Sequence, residues 1–246
     1  MSRDDDGVWE PADVTVCIPC LEQAEWLEQA LASVEAQTLQ PLETIVVDDG
    51  SSLGQAESIR ELSHRYGARS IAVTNRGLPN ARNVGLMLAR GGAFLPLDAD
   101  DWIAPTYLER TVPWLAHADV VCVGLQEHGD RSGTFMPGFD RPLEDVTLEL
   151  EWRMNRVYYC SLFRTELLRA VGGYNGRMVN GFEDWDLTLD LMARGSRFAA
   201  VNEVLFHYRT RADGMLARAE RDHRPENIAE MRRHHGRSNG RSGDLE

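Results

Sequence analysis

Phe94-Leu95-Pro96-Leu97-Asp98-Ala99-Asp100-Asp101-Trp102 passes without a linker from an apolar run into three carboxylates within four positions. A buried strand that ends in crowded like charges has raised carboxylate pKa values, and it loses stability unless a cation or a ligand's donors compensate. Oxygen-only ligands suit a hard divalent ion, Mn²⁺ or Mg²⁺, and Mg²⁺ is commonly held by one or two carboxylates together with substrate phosphates. The stretch therefore implies a metal and a phosphate-bearing substrate. Its competing reading is that Asp98 caps a helix starting near Pro105 while the others face water.

Working outward, the run is the last strand of a strand–helix alternation. Strands are expected at Val14–Ile18, Glu43–Val47, Ser70–Val73 and Ala93–Leu97, with helices at Glu22–Gln37, Gln55–Tyr66 and Asn80–Arg90 between them. Trp26, Leu27, Leu31 and Val34 are placed on one face of the first helix. Such alternation predicts an α/β fold, a Rossmann-like and mostly parallel sheet flanked by helices, in a single domain. Ligands of these sheets bind beyond the carboxyl ends of the strands, where Asp48-Asp49 and Asp98–Asp101 both fall. After a strand at Asp119–Val123, residues Gly124–Pro142 read as loop with a short hairpin. A strand near Val157–Leu162, helices Thr165–Val171 and Glu183–Arg194, a closing pair of strands at Phe198–Val201 and Val204–Tyr208, and a polar helix near Pro225–His235 complete the expected order.

The bulk properties exclude several classes. At 246 residues, with 43% apolar and 26% charged residues, the chain is long enough for one well-cored domain. No stretch is long and apolar enough to span a bilayer, and the N-terminus is acidic where a secretory signal would be basic and then apolar, so a cytoplasmic location is expected. A formal charge of −13 makes nucleic acid an unlikely principal partner. From His207 to Arg241, nine Arg stand against five acids, which makes this segment a candidate for peripheral contact with an anionic membrane surface. All basic side chains are Arg, which excludes Schiff-base and P-loop lysine chemistry. Cys17-Ile18-Pro19-Cys20 has thiol-redox spacing, but Val14, Val16 and Ile18 alternate through it, and the expectation is two core cysteines of the first strand rather than a redox or zinc pair.

Taken in order, six motifs resemble family 2 glycosyltransferases, inverting enzymes of the GT-A fold that use nucleotide sugars. They are Val16-Cys17-Ile18-Pro19-Cys20 with Gln23–Leu27; Val46-Val47-Asp48-Asp49-Gly50-Ser51; Asn75-Arg76-Gly77-Leu78-Pro79-Asn80-Ala81-Arg82-Asn83; Leu97-Asp98-Ala99-Asp100-Asp101; Gly181-Phe182-Glu183-Asp184-Trp185-Asp186-Leu187; and His207-Tyr208-Arg209. The resemblance spans Val14 to Arg209. It implies a GT-A domain at residues 13–210 between an acidic, disordered segment 1–12 and a C-terminal helix with a flexible basic tail, 211–246.

The resemblance also assigns residues. Pro19, Asp48, Asp49, Asn75, Arg82, Asp98 and Ala99 fall at nucleotide-sugar positions, and Asp48 and Asp49 are both candidates for accepting a hydrogen bond from the base, with a turn around Gly50 as the alternative role for one of them. Asp98 takes the sugar side and Asp100 the metal, Mn²⁺ or Mg²⁺, with Asp98 also near it, while Asp101 is a candidate helix cap. His207 matches a position that ligates the metal in some members. Asp184 is the implied general base and Glu183 its capping and orienting neighbour. Trp185 and Tyr159 are candidates for stacking on the acceptor, with core packing as the alternative. For Arg82 the alternative is a surface ion pair of little value. Leu21-Glu22 departs from the family's pattern and adds an acid at the nucleotide mouth, and Gly124–Asn180 carries no readable motif. The implied donor is a UDP-, dTDP- or GDP-linked sugar and the acceptor stays open. Two other readings are a sugar nucleotidyltransferase, against which the missing Gly-rich loop and lysine argue, and a non-catalytic nucleotide-sugar-binding module.

Overall fold

The computed structural model describes residues 13–137 and 145–238. The expected disordered segment 1–12 and the last residues of the tail, 239–246, lie outside them. Strands β1 (Val14–Cys20), β2 (Glu43–Asp48), β3 (Arg69–Ala72) and β4 (Ala93–Pro96) alternate with helices α1 (Ala24–Glu35), α2 (Leu53–Arg65) and α3 (Leu78–Leu88). They pair in parallel in the order β3-β2-β1-β4. Beyond β4 the chain forms β5 (Trp102–Ile103), α4 (Tyr107–Thr111), β6 (Val120–Gly129), β7 (Thr134–Phe135), α5 (Leu148–Arg153), β8 (Leu162–Arg164), α6 (Thr165–Val171), α7 (Glu183–Ala193), β9 (Phe198–Thr210), α8 (Met215–Arg218) and α9 (Arg224–Ser238).

The sheet continues from β4 through β8, β6 and β9 to β5, with β7 as a hairpin arm on β6. β8 runs antiparallel to β4 and β6, which leaves β6 and β9 parallel to the first four strands. Every residue of β1 and β4 is buried, as strands covered on both faces must be. Val14, Val16 and Ile18 of β1 pack with Leu27, Leu31 and Val34 of α1, while Cys17, between them, packs on the other face with Ala81 and Leu86 of α3 and Leu187 and Leu191 of α7. Trp26 is not on the core face of α1. Half-buried, it lies under the Arg209 guanidinium at 4.1 Å.

Three expected boundaries change. Of the stretch expected as loop from Gly124 to Pro142, Gly124–Gly129 continue β6 and Thr134–Phe135 fold back on it as a hairpin, while 138–142 lie outside the described residues. The closing pair is one strand, because two extra residues, Asn202 and Glu203, are absorbed as a bulge between the Val123–Val201 and Gly124–Val204 pairings. A side chain at Gly124 would press into the Glu203 carbonyl oxygen at 2.8 Å, so the bulge needs a glycine opposite it. The strand expected near Val157–Leu162 begins only at Leu162. The residues before it line the site instead. No helix among the described residues is long and apolar enough to cross a membrane.

Candidate active site

Three parallel strands deliver Cys20, Asp48 and the Asp98 loop to one edge of the sheet, and a cleft of about 1010 Å³ opens there. Pro19, Asp49, Asn75, Asp98 and Asp100 line it. The two candidate base-reading carboxylates have different local duties. Asp48 Oδ1 accepts from Ser51 N at 2.9 Å and closes the turn around Gly50, whereas Asp49 faces the cleft and holds the next loop by accepting from Arg76 N at 3.0 Å and Gly77 N at 2.9 Å. Glu22 accepts from Ser52 N and Oγ, which ties the departing residue to the same rim.

In the acidic run, each member has a different environment. Asp98 Oδ1 receives Arg82 Nη2 at 2.7 Å, and Asp98 N donates to the Tyr159 hydroxyl at 3.0 Å. Burial and the Asp98 charge push the Asp100 carboxyl up, and Arg211, 3.0 Å from its Oδ2, pulls it back. Asp101 is no exposed helix cap. It is 1% exposed, accepts from the Tyr159 hydroxyl at 2.5 Å and from Arg209 N at 2.6 Å, and burial pushes its carboxyl well above the usual range. Ala99 is buried beneath the loop.

Arg82 is no surface residue either. It is fully buried and joins Asp98 to Glu183, whose Oε1 receives Nη1 at 2.6 Å. Its guanidinium also faces the Tyr159 and Tyr174 rings, at 4.8 and 5.4 Å. That ion pair is the duty of Glu183. The capping position of α7 belongs to Phe182, which is left-handed at φ 66° after Gly181 at φ 102°. Two consecutive left-handed residues turn the chain sharply into α7, and a non-glycine residue held there stores strain.

A second cavity, of about 540 Å³, lies beside Asp184 and shares Asp98 and Tyr208 with the cleft. Burial raises the carboxyls of Glu183 and Asp184 while Arg82 draws them back down, and the Asp184 charge adds to the rise of Glu183. Asn155 Nδ2 donates to Asp184 Oδ2 at 3.1 Å. Tyr159 and Trp185 line this cavity but are buried and committed: Tyr159 to Asp101, and Trp185 Nε1 to the Glu151 carbonyl at 2.7 Å. His207 lines neither cavity; its ring is stacked on Trp102 and its Nδ1 is 3.1 Å from His128 Nε2. Arg211 and Asn155 went unread in the sequence, Arg211 because it follows the last motif and Asn155 because its segment has none.

Cys17 and Cys20 are free and buried, with thiols pushed up by burial to about 12. Three positions apart on one strand, they point to opposite faces, which a thiol pair cannot do.

Residues 15–172 match the profile described as Glycosyl transferase family 2. The chain belongs to that family. Its relatives include the glycosyltransferase GlyG of Streptococcus pneumoniae, 25% identical over 85% of this chain and 74% of its own, and the amylovoran biosynthesis glycosyltransferase AmsE of Erwinia amylovora, 27% identical over 78% and 73%. Among solved structures, S. aureus TarS in complex with UDP-GlcNAc superposes with a TM-score of 0.74 at 22% identity, over 90% of this chain and 64% of that one. The mannosyltransferase PcManGT of Pyrobaculum calidifontis, in complex with GDP-Man and Mn²⁺, gives 0.68 at 22% identity, over 97% and 68%. The chain thus spans just under two thirds of that TarS chain. These likenesses show the GT-A fold, and the chain is a glycosyltransferase.

Proposed function

We propose that the chain moves a sugar from a nucleoside-diphosphate sugar to an acceptor hydroxyl with inversion at the anomeric carbon, with Asp184 as general base. The observation that carries this is the meeting of the two cavities at Asp98: the larger holds the nucleotide candidates Asp49 and Asn75, and the smaller holds Asp184. A donor sugar at that junction has the diphosphate on one side and, on the other, room for an acceptor hydroxyl to hydrogen-bond Asp184, and attack from the face opposite the leaving group inverts the centre. Asn155 Nδ2 donates to Asp184 Oδ2 and so orients the carboxylate that takes the proton. Arg82 keeps Glu183 and Asp98 at fixed positions on either side of the junction.

The acidic loop fits a divalent cation: Asp100 and Asp98 offer hard oxygen donors, and a cation offsets the burial and the Asp98 charge that raise Asp100. When bound there, Mn²⁺ or Mg²⁺ would neutralise charge on the departing diphosphate. The buried Asp101, bonded to Tyr159 and Arg209, and His207, stacked on Trp102 and bonded to His128, stay outside that set. Relatives whose complexes hold UDP-GlcNAc and GDP-Man support a nucleotide-sugar donor. A non-catalytic module would need no buried, hydrogen-bonded carboxylate in the second cavity, and a nucleotidyltransferase finds no support in the family match.

A thermal-shift series with UDP, GDP and dTDP, each with and without Mn²⁺, tests the donor half, since a ligand that binds the folded state alone raises apparent stability. No Mn²⁺-dependent shift with any of the three would defeat it. The basic C-terminal segment is proposed to touch an anionic membrane, and failure to sediment with vesicles containing anionic lipid would refute that.

A further inference from the structure

Asp186 sits in the first turn of α7, two residues after Asp184, and is fully buried. Two consecutive histidines of α9 converge on it: His234 Nδ1 is 2.9 Å from Oδ2 and His235 Nε2 is 3.0 Å from Oδ1. The three ligand atoms lie within 4.8 Å of one another, and this is the one such group of metal-binding side chains among the described residues. We infer that Asp186, His234 and His235 form a second metal site, for a borderline ion such as Zn²⁺, which fastens α9 to the helix that carries Asp184.

The mixed donor set separates this site from the acidic loop. Two imidazole nitrogens and a carboxylate suit Zn²⁺ at about 2.0–2.2 Å, and a tetrahedral shell of that size has edges of roughly 3.3 Å. The two His–Asp spacings, 2.9 and 3.0 Å, lie within tenths of an ångström of that edge, and no pair of ligand atoms in the group is more than 4.8 Å apart. Three protein ligands leave a fourth position for water. The two imidazole rings stand 5.0 Å apart between centroids, close enough for both to reach one ion beside Asp186. His235 packs edge-on against Trp152 at 5.3 Å, and Met178, Trp185 and Met231 form the apolar cluster nearby, a setting that limits water at the ion.

Helix α9 needs such a fastening. Its buried stripe is Asn227, Met231 and His235, and only one of these is apolar. A helix so polar gains little from burial. Yet it braces the entry to α7: Asn227 Nδ2 donates to the Asn180 carbonyl at 3.2 Å, and Arg224 lies over the Phe182 ring at 5.7 Å. A metal supplies the bond that the hydrophobic face lacks, and it does so independently of which donor fills the cleft.

The test uses the full chain, purified without a histidine tag, incubated with Zn²⁺, passed through gel filtration and assayed for metal. About one retained zinc per chain is expected, with a Tm that rises on zinc addition and falls on chelation, and Co²⁺ in its place should give the intense visible bands of a tetrahedral set. Asp186→Asn, His235→Ala and His234→Gln should each lose the retained zinc and the zinc-dependent Tm shift. His234 is half-buried, so His234→Gln keeps the fold testable if the other two do not fold. Asp100→Ala should keep both, which separates this site from the donor site. A wild-type chain that retains no zinc, or a folded His234→Gln variant that retains it as well as wild type, would overturn the inference.

Discussion

Arg82 Nη1 donates to Glu183 Oε1 across 2.6 Å, between helix α3 and the first turn of α7, with both side chains out of water. Removing one partner of a buried pair leaves the other charged in a low dielectric and costs about 3–5 kcal/mol, far more than a surface pair is worth. Arg82→Met should therefore destabilise the chain by about that amount in chemical denaturation. Adding Glu183→Gln to it should recover part of the loss, because the stranded charge is then gone; a double variant no more stable than the single one would show that the pair is not the source.

This pair also marks what the sequence could reveal. Asp98 and Asp100 were legible because both the strand and the acids are local, and the strand–helix alternation needed only period and turn residues. Arg82 was placed at the nucleotide on resemblance, but its duty was not legible, since its partners lie 16 and 101 residues away. For Asp101 the same holds: a third carboxylate looked like a cap, and only Tyr159, 58 residues on, shows it to be buried. The β6–β9 bulge, Asn155 and the Asp186–His234–His235 cluster are likewise tertiary facts, invisible to pattern.

Glu151 carries a pH dependence. It is fully buried, and burial, then the Asp184 charge, raises its carboxyl to about 7, against two backbone N–H groups that lower it. Between its unfolded value of about 4.3 and about 7 the folded chain holds a proton that the unfolded chain has lost, so stability falls as pH rises through that window. Glu151→Gln should remove that contribution, leaving a variant close to wild type at low pH and more stable above pH 7, by up to about 3 kcal/mol. Denaturation series at the two pH values check this, and a variant less stable than wild type at high pH would contradict it.

Asp100→Ala should abolish the Mn²⁺-dependent part of nucleoside-diphosphate affinity and leave the fold intact, since the carboxyl it removes is already raised by burial and Asp98. Calorimetric titration of the nucleotide with and without Mn²⁺ reads the effect. An unchanged metal-dependent affinity would remove Asp100 from the metal site.

The cysteines allow a prediction about packing. Cys17 and Cys20 fill opposite faces of β1, so changing both to Ala should cost roughly 1–3 kcal/mol while turnover per folded molecule stays near wild type. Activity lost from a folded enzyme without Cys17 and Cys20 would return the pair to the chemistry.

Asp184 is where the reaction itself is tested. A positioned general base contributes about 10²–10⁴-fold, so Asp184→Asn should lower kcat by that factor while donor affinity barely moves, because Asp184 lines only the cavity opposite the nucleotide cleft. The substitution keeps size and the contact with Asn155, so lost turnover cannot be blamed on a cavity. Asn155→Ala should be milder, since it frees the carboxylate to rotate without removing it, and its loss should appear in kcat rather than KM. Burial, moreover, raises the Asp184 carboxyl, so the acid limb of the kcat profile should lie above the ordinary carboxylate range, and in Asp184→Asn that limb should vanish. An Asp184→Asn enzyme with near wild-type turnover would move the base to Glu183, which would then have to give up its bond to Arg82 to act.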